Sequence, residues 1–116
     1  MEPSWVEGWY CVTDFLTNNT NQEVQDFIAA YQAEYGAEES VDLHCAAYYS
    51  AVYALADGIE RAGSTNGEDV AKALRETKDV PGLVGDFNCN EDGEMIHEII
   101  LGQCKDLQIE YIDVIQ

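Results

Sequence analysis

Residues 41–59 constrain the fold more than any other part of the chain. Val41, Cys45, Tyr48, Val52, Leu55 and Ile59 recur at the helical period and form one apolar stripe. Ala46, Ala47, Ala51, Ala54 and Ala56 occupy much of the remaining circumference. A helix apolar over so much of its surface needs neighbours on more than one side. Its apolar run, Cys45 to Ala56, contains Ser50 and stops at Asp57. That is short of the roughly 20 residues a membrane span requires. Ser40 is placed to cap the start of this helix and Gly63 to end it.

The flanking segments read as follows. Trp5 to Phe15 is aromatic and β-branched and predicts a strand, and Leu16 to Asn21 predicts a polar loop. Thr20 and Glu23 have the spacing of a capping box, in which each side chain satisfies the other's backbone N–H. Val24, Phe27, Ile28, Tyr31 and Tyr35 then form the stripe of a helix that Gly36 terminates. Asn66 is placed to cap a short helix from Gly67 to about Thr77, with Glu68 and Asp69 facing the positive end of its dipole. After Pro81-Gly82 the period falls to two. Leu83–Cys89 predicts a strand, Asn90–Gly93 a turn, Ile96–Cys104 a second strand and Leu107–Ile115 a third.

Charge excludes one class of partner. Five basic against 23 acidic residues leave the 116-residue chain at −18, so nothing favours its approach to a nucleic acid or an anionic lipid surface. Apolar residues at 47% and charged ones at 24% are the composition of a folded chain. The acidic surface is read as solvated surface that keeps copies apart. Met1 to Gly8 carries two Glu and no basic residue, unlike the start of a signal peptide.

Little in the chain carries reaction chemistry. Cys11, Cys45, Cys89 and Cys104 are widely spaced with no C-x-x-C pair, so they read as buried thiols rather than zinc ligands. Asp86-x-Asn88-x-Asn90-x-Asp92 resembles the front half of a calcium loop. Glu91 stands where that loop needs Gly, and His97 where it needs a bidentate Glu, so no metal or other cofactor is expected. His44 and Cys45 are adjacent on a helix and point about 100° apart, which does not make a nucleophile pair. No enzymatic role is expected.

The order of motifs says more than any one of them. Glu7-Gly8-Trp9-Tyr10-Cys11-Val12-Thr13-Asp14-Phe15 precedes a capped helix ending in Phe27-Ile28-Ala29-Ala30-Tyr31-Gln32-Ala33-Glu34-Tyr35-Gly36. Ala47-Tyr48-Tyr49-Ser50-Ala51-Val52-Tyr53-Ala54-Leu55-Ala56-Asp57-Gly58-Ile59 follows, then Ala73-Leu74-Arg75-Glu76-Thr77. Gly82-Leu83-Val84-Gly85, Asn90-Glu91-Asp92-Gly93 and Gln103-Cys104-Lys105-Asp106 close the series. In this order they resemble the carboxy-terminal third of the branched-chain amino acid binding proteins, the type I periplasmic receptors of ABC importers. The resemblance covers nearly the whole chain.

It implies an α/β fold: three helices packed on a small, partly antiparallel sheet, α+β as an isolated piece. Residues 1–116 would be one segment of a two-lobed receptor in the periplasm or on the cell surface. The intact receptor would bind a branched-chain amino acid or similar solute and serve an ABC permease. Much of the ligand site would lie outside this chain. Tyr49 matches the Tyr of the family's Tyr-Asp-Ala motif, where Ser50 replaces the Asp. His44 stands at an aromatic position near ligand and hinge, and Tyr10 is placed to line the cleft. The resemblance thus suggests His44, Tyr49 and Tyr10 as ligand-binding residues. The other reading is a ligand-free α+β interaction module. In either case one face of the 41–59 helix is left uncovered, which predicts a homo-oligomer.

Overall fold

In the computed structural model, which describes residues 5–115, each helix begins at an Asn or Asp whose carbonyl or carboxylate oxygen takes up free N–H groups. Helix α1 (Gln22–Tyr35) is capped by Asn21, which accepts from the Glu23 N–H at 2.8 Å; Thr20 does not cap it. Asn19 in turn holds the Asn21 N–H at 2.9 Å, fixing the turn that puts Asn21 in the capping position. Helix α2 (Leu43–Ala62) is capped by Asp42 through the Cys45 N–H at 3.0 Å, two residues beyond the expected Ser40. It ends as expected at Gly63, whose φ of 61° lets its N–H reach the Ile59 and Glu60 carbonyls. Helix α3 (Gly67–Arg75) has the expected Asn66 cap, acids in its first turn, and Lys72 and Arg75 in its last.

The strands are shorter than the alternation suggests. Strand β1 is Tyr10–Thr13. No continuous strand covers 83–89. Val80 and Phe87 pair as a bridge instead, and the Gly85 N–H closes a turn onto the Gly82 carbonyl at 3.2 Å. That turn buries the consecutive residues Leu83 and Val84 together, which a strand with alternating faces would not do. Strands β2 (Asn88–Cys89) and β3 (Met95–Ile96) form a small hairpin. His97 and Glu98 separate β3 from β4 (Ile99–Lys105), so the expected 96–104 strand is two. Asp106 and Leu107, at φ 50° and 64°, turn β4 into β5 (Gln108–Ile115). The main sheet is antiparallel in the order β1-β4-β5, with Cys11 opposite Gly102 and a register shift between Leu101 and Gly102.

The core cluster joins Phe15, Val24 of α1, Val41, Ala46 and Ala54 of α2, and Leu83, Val84 and Phe87 of the loop. Its side of α2 differs from the expected one. The residues α2 buries are Ala46, Ser50, Ala54 and Gly58, spaced by four. Tyr48, Val52 and Leu55, expected to face inward, are exposed. Small residues let α2 sit close to its neighbours: a Cβ on Gly58 would lie 2.6 Å from Leu74 Cδ2 on α3. Arg61 fastens the same junction, bonding Asp57 at 2.7 Å, the Ala73 carbonyl, and Thr77 Oγ1 at 2.8 Å. The thiols are free, but only Cys104 is fully buried; Cys11, Cys45 and Cys89 lie half-buried in a core too thin to enclose them.

Candidate functional site

Two helical stripes meet to make the largest concavity. At ~100° per residue, Tyr49 and Tyr53 share one side of α2, just as Phe27, Tyr31 and Tyr35 share one side of α1. Their rings connect in series. The centroids are 4.7 Å apart for Tyr35–Tyr31, 6.1 Å for Tyr31–Phe27, 4.6 Å for Phe27–Tyr49 and 4.8 Å for Tyr49–Tyr53. All four pairs are tilted, the arrangement ring quadrupoles favour over a face-to-face stack. This wall lines an open groove of about 850 Å³, closed at one end by Pro81, Gly82 and Leu83.

The groove's polar groups are few and mostly engaged. The Tyr49 hydroxyl donates to that of Tyr53 at 3.2 Å, and this bond holds the Tyr49 phenol protonated above the usual tyrosine range. The Cys45 thiol donates to the Tyr31 hydroxyl at 3.7 Å, and Tyr31 too is raised, chiefly by that contact. Ser50 is buried at the groove floor. Its hydroxyl donates to the Ala46 carbonyl at 2.8 Å and accepts from the Leu83 N–H at 2.9 Å, tying α2 to the 81–87 loop. Glu23, Asp26 and Glu34 stand along the rim. A second, more polar hollow of about 570 Å³ lies between Asn18, Asn21, Asp86 and Glu98.

The three residues suggested by the sequence stand apart in their roles. Tyr49 is in the groove wall. His44 is exposed in the first turn of α2, with its Nδ1 3.8 Å from Asp42, and does not line the groove. Tyr10 is exposed on the edge strand β1, away from the groove lining. Phe27 and Tyr53, which complete the wall around Tyr49, were legible only as helix-stripe residues; the spacing of four between Tyr49 and Tyr53 was the available signal. The calcium-like run spends its oxygens on backbone. Asn88 accepts from the Asp79 N–H, and Asn90 from those of Asp92 and Glu94, at 2.8–3.1 Å.

Residues 1–108 match the family described as periplasmic binding protein. The chain belongs to this family. Among solved structures it is similar to a leucine-binding protein of Thermotoga maritima, at 30% identity and a TM-score of 0.73 over 95% of this chain and 31% of that one. An ABC transporter substrate-binding protein of Desulfitobacterium hafniense, solved in complex with Leu, matches at 29% identity and a TM-score of 0.77 over 92% of this chain and 32% of that one. A putative branched-chain amino acid ABC transporter protein of Rhodospirillum rubrum shares the fold, with a TM-score of 0.81 at 24% identity, over 97% of this chain and 34% of its own. No curated protein matches the chain. The chain thus spans about a third of the length of the solved receptors it resembles. Three helices with a small antiparallel sheet are a segment of the type I periplasmic binding fold, as the order of motifs implied.

Proposed function

We propose that residues 1–116 act as the carboxy-terminal segment of a two-lobed, extracytoplasmic solute receptor that delivers a branched-chain amino acid or similar small solute to an ABC permease. The family match carries this reading, together with the similarity at 29–30% identity to receptors described as leucine-binding or solved with Leu. The receptor works by binding, without catalysis. Its lobes close over the solute, and closure presents the loaded form to the permease. The periplasm or the outer cell surface is the compartment in which such a receptor acts.

The site is shared with the remainder of the receptor. Within this chain Tyr49 is the best-placed of the suggested contacts, held by its ring partners and by the Tyr53 hydroxyl. His44, with its ring free of close packing, and Tyr10, on an edge strand, are offered from the surface. Calorimetric titration with leucine, isoleucine and valine tests the reading. The chain alone is expected to give no binding heat, and the chain joined to the rest of a related receptor is expected to bind at least one of the three. A ligand-free interaction module is the second reading, favoured by the exposed apolar side of α2; it predicts no binding in either form.

A further inference from the structure

The aromatic groove has the size of a solute pocket, but its surroundings are those of an interface. Beside it, Tyr48, Ala51, Val52, Leu55 and Ala56 cover the outer side of α2 without a charged residue between His44 and Asp57. Tyr48 is 74% exposed and Val52 66%. Large apolar residues side by side in water on this scale mark association surfaces. The chain's whole surface agrees. It exposes 8181 Å², against about 6,300 Å² for a compact monomer of its mass. The surplus exceeds the ~800 Å² that each partner contributes to an ordinary stable interface.

We infer that the α1–α2 groove and the adjoining outer side of α2 form one seat for the sheet-bearing remainder of the receptor fold, rather than a pocket for solute. This rests on the receptor reading above and names the partner of the same site. Two observations commit to that occupant. The solved relatives carry about two thirds of their length outside the match, so the fold has the chain needed to cover the seat. The rim carries Glu23, Asp26 and Glu34 while no Lys, Arg or His lines the groove, so the fitting surface is apolar and bordered by Lys or Arg. A second copy of this chain fits poorly. It brings another −18 and sets the same acidic rim against its own.

The test uses the full chain and, as probe, the part of the Thermotoga maritima leucine-binding protein outside the match, made as a separate polypeptide. Mixed together, they are expected to form a 1:1 complex by light scattering after gel filtration. Amide exchange is expected to slow in α2 beyond its rate in the chain alone. The triple variant Tyr48→Lys, Val52→Lys, Leu55→Lys alters only exposed positions. It is expected to keep the helical circular dichroism and melting midpoint of the chain alone, yet to weaken the complex by ~30-fold or more, the loss of an interface centre. No complex, a complex indifferent to the triple variant, or homodimers built on the same face would overturn the inference. Leucine is read separately: a complex that forms through this face and binds no leucine leaves the seat standing and removes the amino-acid reading.

Discussion

Ser50 shows how one side chain can hold two segments together. It is the buried hydroxyl of α2, and it satisfies the backbone N–H of Leu83 as the 81–87 loop enters the core. Replacing it by Ala leaves that N–H without a partner, at a cost of ~1–3 kcal/mol. Urea denaturation of Ser50→Ala is expected to show a loss of that size with an unchanged slope. Asp42 gives a prediction in pH. The Cys45 backbone N–H, and then the side-chain contact with Cys45, hold its carboxyl below the usual aspartate range. A carboxyl lowered on folding stabilises the fold above its unfolded pKa, and that contribution fades as pH falls through the folded value. Asp42→Asn keeps a capping oxygen but cannot titrate. The melting midpoint of the wild type is therefore expected to exceed that of the variant at neutral pH and to converge on it as the pH drops below about 4. Asn66 and Gly63 were legible as caps because no rival stood beside them. Thr20 and Ser40 were misleading because Asn21 and Asp42 lie close by, and local turn bonds such as that of Asn19 decide which residue enters the helix first.

At the scale of elements, the extent of each helix was written in its period, but the buried side of α2 was not. Hydrophobicity assigns the large residues inward. The structure buries Ala46, Ser50, Ala54 and Gly58, because close approach to α3 and the loop requires small side chains. The 83–89 segment misled for a related reason: its alternation is that of a strand, but Gly82 and Gly85 fold it into a turn that plugs the core. The α2–α3 contact can be tested directly. Gly58→Ala gains up to ~1 kcal/mol of helix propensity but presses its Cβ on Leu74, an overpacking worth ~1–3 kcal/mol. The single variant is expected to be the less stable protein. Combined with Leu74→Ala, which vacates the space, it is expected to cost less than the sum of the two singles, read from chemical denaturation of all four proteins.

At the scale of the molecule, the chain is extended and under-covered. Its radius of gyration is 16.7 Å, where a compact chain of this length has ~13 Å. The family and fold were legible before any coordinates, because six short motifs fell in the right order. The groove was not, because a ring wall built from two helices appears in sequence only as two ordinary stripes. The account's central claim is that this chain supplies one part of a solute receptor and that the ligand site is completed elsewhere. Calorimetric titration with leucine, run on the chain alone and on its complex with the unmatched part of the Thermotoga maritima relative, tests that claim most directly. The account predicts binding heat from the complex and none from the chain alone. Micromolar binding by the chain alone, or a folded complex that binds none of leucine, isoleucine and valine, would contradict it.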